Sequence, residues 1–221
     1  MSFIHYLPFT KESYRQIPIV ENGVRNLDDS SIGDIGIYFC SNKYRVKHAV
    51  IVGSNPPWVT HSIYKYGVYS SKLQLSRPII FFRLKCARAV ALKAAQIAQN
   101  WSRGFRETRQ DDFDSVTTEQ VGFSSSMPRG VTAFMGSSAF GSGASRRLDK
   151  YRRRESENFA PKYVICSEMV ILAYQLAAFG CQESKGFIML DAKHSLPGTL
   201  AQYLYESPFW ELTARSKAQV L

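Results

Sequence analysis

The 221-residue sequence has no run of about 18 uncharged apolar residues, which a membrane-spanning helix would need. It also has no CxxC pair, because its four cysteines stand singly. A zinc site and a disulfide scaffold are therefore both disfavoured, and we predict no metal or other cofactor. The first residues, MSFIHYLPFTKES, lack the basic and apolar segments of a secretory signal, so we expect the protein to be cytoplasmic in its producer.

The charged residues are unbalanced, with 28 Lys and Arg against 18 Asp and Glu, a formal net charge of +10. A basic surface attracts polyanions such as nucleic acid, anionic lipid or an acidic wall polymer. The densest basic stretch, residues 146–154, contains Asp149 and is followed by Glu155, which is typical of a solvated helix face. Neither a zinc-finger spacing nor an RNA-recognition motif occurs, so we expect no nucleic-acid partner, and peripheral contact with a membrane stays open.

The sequence predicts an α+β fold in which a meander of antiparallel strands precedes most of the helices. Predicted strands, short and rich in β-branched and aromatic residues, span 34–40, 48–53, 58–69 with a break at Gly67, and 78–84. Predicted helices span 86–101, 145–158, 166–179 ending at Gly180, and 197–205 capped by Ser195. Residues 102–144 have no period, so we predict a single domain, 1–221, with a flexible or inserted segment there.

Two of the four histidines, His48 and His61, fall on successive predicted strands. The turn between them, residues 54–57, contains two prolines and would fold the second strand back on the first. Facing side chains of antiparallel strands lie roughly 5 Å apart. The two imidazoles are therefore expected to meet on one face of the sheet.

Cys166 stands at the start of an almost wholly apolar predicted helix. A helix N-terminus stabilises a thiolate, so we expect the pKa of Cys166 to lie below the ordinary value of about 8.5. An imidazole within about 4 Å would complete a thiol nucleophile, and a second polar group would orient that imidazole. Cys166, His48 and His61 are thus the candidate catalytic residues, while a small core cysteine beside two packed histidines is the structural alternative.

Four short motifs surround these residues and follow one another in a fixed order along the chain. They are Gly33-Asp34-Ile35, His48-Ala49-Val50-Ile51-Val52-Gly53, Val59-Thr60-His61-Ser62 and Tyr163-Val164-Ile165-Cys166-Ser167-Glu168. Together they resemble the circularly permuted branch of the NlpC-type papain-like cysteine hydrolases, which includes the YiiX-like proteins and the lecithin:retinol acyltransferase group. The resemblance covers residues 32–101 and 163–210, and its most specific feature is that both histidines precede the cysteine.

This resemblance implies a papain-like antiparallel sheet packed against helices, with the nucleophile at the N-terminus of a buried helix. It implies Cys166 as nucleophile, His48 as general base and acid, and His61 as the group that orients His48. It also implies that the backbone N–H of Cys166 serves as an oxyanion donor and that Tyr163 lines the site. His61 is typical of the acyltransferase group, whereas the segment Cys166-Ser167-Glu168 is typical of the YiiX-like proteins, so the substrate class stays open.

The function we expect is that of a cysteine peptidase or amidase that forms an acyl-enzyme on Cys166 and cleaves an amide bond in bacterial cell-wall peptide (peptidoglycan). One alternative is a phospholipase or acyltransferase using the same site, with an apolar entry surface from Phe134, Met135 and Phe140. Another is a binding module without activity. As an effector toxin, the enzyme would need specialised secretion machinery to reach a target cell envelope, and its producer would need a neutralising immunity protein.

Overall fold

The computed structural model describes residues 19–20, 32–39, 46–53, 58–63, 67–74, 78–108, 122–123, 137–155 and 163–216. Over these ranges the protein has an α+β fold, as predicted. The strands are β1 (Ile19–Val20), β2 (Ile35–Phe39), β3 (Val46–Val52), β4 (Trp58–Ile63), β5 (Gly67–Lys72), β6 (Ile79–Leu84), β7 (Gly122–Phe123), β8 (Tyr163–Val164) and β9 (Trp210–Ser216). The helices are α1 (Arg88–Thr108), α2 (Ser142–Glu155), α3 (Cys166–Gly180) and α4 (Pro197–Glu206), with a 3-10 turn at Ala192–His194.

The main sheet has the strand order β1-β9-β6-β2-β3-β4-β5. Six of these strands pair antiparallel, and β1 joins the edge in parallel with β9. The meander β2-β3-β4-β5 confirms the strand prediction, and the segment 58–69 is divided into β4 and β5 near the break predicted at Gly67. The second of them, β5, begins at Gly67 with a φ of 67°, a conformation that glycine adopts without steric cost.

The segment 102–144 is more regular at both ends than predicted. α1 continues to Thr108, seven residues beyond its predicted end, and α2 begins at Ser142, three residues before its predicted start. β7 lies within the segment and pairs in parallel with β8. Residues 109–121 and 124–136, with Phe134 and Met135, lie outside the described ranges.

Two predicted helix ends differ in detail. The residue before α4 is Leu196, and Pro197 opens the helix, so Ser195 is not its cap. The hydroxyl of Ser195 is instead buried, with no hydrogen-bond partner in the described part of the chain. At the end of α3 the left-handed residue is Gln182, with a φ of 52°, and not Gly180.

The two faces of the sheet bury separate apolar clusters. On the first face, Ile35, Ile37, Ala49 and Ile51 belong to the large core that contains most of α1 and α3. On the second face lies a smaller cluster, made of Val50, Val52, Val59, Ile79 and Phe81. Side chains alternate along a strand, so adjacent residues of β3 from Ala49 to Val52 belong to different clusters.

The α3 helix lies in the middle of the large core, and its residues from 166 to 178 are all buried. Its Tyr174 hydroxyl donates a hydrogen bond to the backbone oxygen of Gly33, directly before β2. Next to that contact, Asp34 accepts two hydrogen bonds from Arg83 of β6, at 3.0 and 2.8 Å. The first bond ties α3 to the start of β2, and the bonds of Arg83 tie that start to β6. No helix in the described ranges combines the length and the apolar character needed to cross a membrane.

Candidate active site

The structure brings His48 and His61 together, as the sequence predicts. β3 and β4 pair antiparallel, and His48 Nε2 lies 2.8 Å from His61 Nδ1. His48 also faces Tyr38 of β2, with ring centroids 6.3 Å apart. One nitrogen of His48 is thus engaged with His61, in the manner of an imidazole held by an orienting partner.

His61 is enclosed by two residues of β5. Its ring stacks on Tyr69, with centroids 4.6 Å apart and an interplanar angle of 29°, and its Nε2 lies 3.1 Å from Ser71 Oγ. Burial, reinforced by the charge of neighbouring His48, lowers the pKa of His61 from 6.5 to about 3. His61 therefore remains a neutral imidazole throughout the physiological pH range.

Cys166 is the first residue of α3 and is 8% exposed. Burial raises the pKa of its thiol to about 11, although hydrogen bonds from the backbone N–H groups of Ala49, Ser167 and Cys166 act in the opposite direction. The expectation of a pKa below 8.5 is therefore wrong. A helix N-terminus does supply N–H donors, but removal of the thiol from water outweighs them.

The start of α3 is anchored by side chains on either side of Cys166. Ser62 of β4 donates a hydrogen bond to the backbone oxygen of Val164 at 2.8 Å, and Ser167 donates one to the backbone oxygen of Ser195 at 2.7 Å. Glu168 accepts a hydrogen bond from the backbone N–H of Ile165 at 3.3 Å. Glu168 thus completes the first turn of the helix, as the sequence led us to expect, and Ser62 and Ser167 fix the position of the cysteine.

The sulfur and the imidazoles approach β3 from different sides. The His48 ring lies near Tyr38, which packs on the cluster of Val50, whereas Ala49 belongs to the face that α3 covers. The pairs of the β3–β4 ladder are Ile51 with Thr60 and Val52 with Val59, and Ala49 lies just beyond them. The N–H of Ala49 reaches the sulfur at this point. Contact between Cys166 Sγ and the His48 ring remains a prediction.

The other proposed site residues differ in how far the structure describes them. Hydrogen bonds from the N–H groups of Cys166 and Ser167 lower the pKa of the thiol, and these groups belong to the helix end where N–H groups have no partner within the helix. Tyr163 lies in β8, paired with Gly122, and its side chain is outside the described part of the chain. Ser71 was not singled out from the sequence, because its contact with His61 depends on the register of β5 against β4, which no local pattern specifies.

A separate cavity of about 110 Å³ lies between α2, α3 and the 3-10 turn. Glu168 and Gln175 line it from α3, and the ion pair of Arg147 with Asp191 lines it from the other side. Cys166 is not among the residues that line it. Nowhere in the described ranges do three or more His, Cys, Asp or Glu side chains converge on a point where a metal ion would fit.

No model of a known protein family, no curated protein and no solved structure matches this chain. The resemblance to the permuted NlpC-type hydrolases therefore rests on the short motifs of the sequence. Among the residues of those motifs, the structure pairs His48 with His61 and puts Cys166 beside the backbone of Ala49.

Proposed function

We propose that the protein is a papain-like cysteine hydrolase that cleaves an amide bond in bacterial cell-wall peptide. One observation carries the proposal. The sulfur of Cys166 accepts the backbone N–H of Ala49, and the residue joined to that N–H is His48, whose ring is held by His61 at 2.8 Å. The thiol thus lies beside the backbone of the residue that follows the candidate base, and the proposal requires the sulfur and the His48 ring to meet there.

In the first half of the reaction the sulfur of Cys166 attacks the amide carbonyl carbon, and the thiol proton passes to His48. The N–H groups of Cys166 and Ser167 stabilise the negative oxygen of the tetrahedral intermediate. The C–N bond then breaks, and His48 returns its proton to the departing amine. In the second half water attacks the thioester, gives a proton to His48, and the C–S bond breaks as that proton returns to the sulfur.

The raised pKa of Cys166 determines when the proton moves. With a pKa of about 11, the sulfur keeps its proton at neutral pH until a substrate is bound. His48 therefore acts as a true general base during the attack, in contrast to a base that has already formed a thiolate–imidazolium pair. His61 stays neutral and accepts a hydrogen bond from His48 while His48 carries the extra proton.

The mechanism requires the His48 ring and the sulfur to meet beside the backbone of Ala49, beyond the last β3–β4 pair. The bifunctional reagent 1,3-dibromoacetone tests this requirement, because it alkylates a thiol and then a nearby imidazole. We expect mass spectrometry of peptides from the native protein to show Cys166 joined to His48. Alkylation of Cys166 without a second bond to His48, in protein that remains folded, would contradict the proposed pair.

The amide of a wall peptide is the preferred substrate because the chain has a net charge of +10, which attracts the anionic polymers of a bacterial wall. The test is incubation of purified peptidoglycan, and in parallel of phospholipid vesicles, with the wild type, Cys166→Ala and the control Cys181→Ala. Cys181 is a free cysteine just after the end of α3. Mass spectrometry then identifies any new product.

New peptide termini made by the wild type and Cys181→Ala, but not by Cys166→Ala, would support the proposal. If the wild type and Cys181→Ala released fatty acids but Cys166→Ala did not, the substrate would be a lipid ester instead of a wall peptide, and Cys166 would still be the nucleophile. The apolar entry surface proposed for that case finds no support in Phe140, which packs edge-on against Phe187 with centroids 5.0 Å apart. Equal products, or none, from all three proteins would reject the hydrolase and leave a binding module.

A further inference from the structure

We propose that Ser71 is a positioning residue: its hydroxyl selects the tautomer of His61 and, through His61, the nitrogen of His48 that acts as base. This inference rests on the proposed function. It adds a fourth member to the arrangement of Cys166, His48 and His61. It is drawn from hydrogen bonds that can be examined without any substrate.

Ser71 belongs to the same face of the sheet as His61. In the β4–β5 register Ser71 is opposite Val59 and Tyr69 is opposite His61, so all four residues share one face. Ser71 Oγ lies 3.1 Å from His61 Nε2. Ser71 Oγ also lies 3.4 Å from the backbone oxygen of Lys72, which is long for a hydrogen bond.

Either atom of the Ser71–His61 contact can be the donor, depending on the tautomer of His61. A hydroxyl has one proton, and in the proposed arrangement that of Ser71 goes to the backbone oxygen of Lys72, which can only accept. The bond to His61 then runs the other way, with Nε2–H of His61 donating to Ser71 Oγ. Since neutral imidazole carries a single N–H, Nδ1 of His61 is left as an acceptor.

The tautomer of His61 in turn determines which nitrogen of His48 carries the proton. His61 Nδ1 lies 2.8 Å from His48 Nε2, and an acceptor at that distance requires His48 to carry its proton on Nε2. Neutral His48 then has an unprotonated Nδ1, which is the atom able to take the proton of Cys166. The opposite direction of every bond would protonate Nδ1 of His48 and leave neutral His48 unable to act as base at that atom.

Ser70 provides a matched control on the opposite face of the same strand. Its hydroxyl lies 3.0 Å from Thr60 Oγ1 and 3.0 Å from Ser102 Oγ of α1. These bonds join β5 to β4 and α1, and none of them involves a histidine. Ser70→Ala and Ser71→Ala therefore remove the same atom from neighbouring residues, but only Ser71→Ala alters the environment of His61.

The first experiment is long-range 1H–15N correlation NMR of the histidine rings, which distinguishes the two neutral tautomers directly. In the wild type and Ser70→Ala we expect His61 to be protonated at Nε2. In Ser71→Ala we expect a mixture, and in Ser71→Thr, which keeps the hydroxyl on a residue suited to strands, a return to Nε2–H. Protonation of His61 at Nδ1 in the wild type would overturn the inference.

The second experiment is steady-state kinetics of the same four proteins on the substrate identified above. We expect Ser71→Ala to lower kcat about tenfold with KM unchanged, the effect of one lost hydrogen bond in the transition state. Ser71→Thr should recover kcat, and Ser70→Ala should lose thermal stability but keep kcat. Full kcat in Ser71→Ala would overturn the role of Ser71. Activity that survives in Cys166→Ala would overturn the proposed function. The tautomer of His61 measured by NMR does not depend on activity, so it would still test the role of Ser71.

Discussion

The polar groups on the two faces of the sheet around β3 and β4 differ in their hydrogen-bond partners. On the face covered by α3, the thiol of Cys166 is buried, and the backbone N–H groups of Ala49, Ser167 and Cys166 act on it as donors. On the other face, His48 and His61 have side-chain partners and a smaller apolar cluster beside them. Burial keeps both Cys166 and His61 uncharged, and the imidazoles also belong to a hydrogen-bond network that runs from His48 through His61 to Ser71.

This comparison suggests a division of work between the faces. In the proposed mechanism, the helix-covered face holds the nucleophile Cys166, and the other face holds His48 and His61, which exchange and orient the proton. The proposed chemistry takes place only if the two sets of groups meet beside Ala49. Substitutions and titrations that affect one face at a time test this arrangement.

The largest effect is expected from removal of a reacting group on either face. Cys166→Ala and His48→Ala should each lower kcat by about 10⁴-fold or more, because nucleophile and base act as a unit. The measurement is kcat on the peptide substrate, with circular dichroism to establish that the fold persists. Cys86→Ala is the control, since Cys86 is a free, half-buried cysteine between β6 and α1. If His48→Ala lost no more kcat than Cys86→Ala, His48 would not be the base for Cys166, and the histidine face would have no part in the reaction.

The next largest effect is expected on the free energy of unfolding at acid pH, and it arises from His61. The folded pKa of His61 is about 3 and the ordinary value is 6.5, so unfolding takes up a proton between these pH values. His61 thus contributes stability that is complete above 6.5 and is lost as the pH falls towards 3. From about pH 7 to about pH 4, the expected loss is at most about 3 kcal/mol, somewhat less with solvent screening.

The test compares the wild type with His61→Gln, which cannot take up a proton. Urea unfolding at the two pH values should show a smaller acid loss in the variant, by up to about 3 kcal/mol. The difference between the proteins isolates His61 from Asp34, whose pKa burial raises to about 6 and whose effect on stability has the opposite sign. The same acid loss in both proteins would mean that His61 titrates normally in the fold.

The third effect concerns the thiol face and its reactivity. Because the pKa of Cys166 is about 11, its thiolate fraction should rise about tenfold per pH unit up to about pH 10. Alkylation of Cys166 by iodoacetamide in the native protein, followed by mass spectrometry, should rise in the same way. In guanidinium-unfolded protein the same cysteine should level off near the ordinary value. A plateau at neutral pH in the native protein would reveal a thiolate–imidazolium pair.

The smallest effect is expected from the anchor of the nucleophile helix. Ser62→Ala removes the donor to the backbone oxygen of Val164 in a fully buried position and should cost about 1–3 kcal/mol of unfolding free energy. Thr213→Val is the control, since its hydroxyl contacts the oxygen of Phe81 at 3.5 Å in a half-buried position. Thermal unfolding measures both. Equal losses would show that the buried bond at the start of α3 is not special.

The correct predictions rest on local patterns. Alternating β-branched and aromatic residues indicated β2, β3 and β6, and an apolar run indicated α3 with Cys166 at its first position. The pairing of His48 with His61 followed from one short turn between two strands. Each of these features depends on residues close together in the chain.

The missed features depend on distant residues. β9 pairs with β6 more than a hundred residues away, and its segment, Trp210–Ser216, carries polar residues that do not distinguish it from a loop. The extra turns of α1 continue beyond Trp101, where the alanine-rich pattern ends. Ser195, a good cap by composition, has its hydroxyl in the core instead.

The sequence by itself determined the secondary structure around the site and which residue types stand at the ends and centres of its elements. Only the tertiary structure decided their chemical state. The helix-terminus argument for Cys166 used local dipoles, but the pKa follows from water excluded by residues throughout the core, and it moves in the other direction. In the same way, the register of β5 against β4, which no local pattern specifies, puts Ser71 against His61.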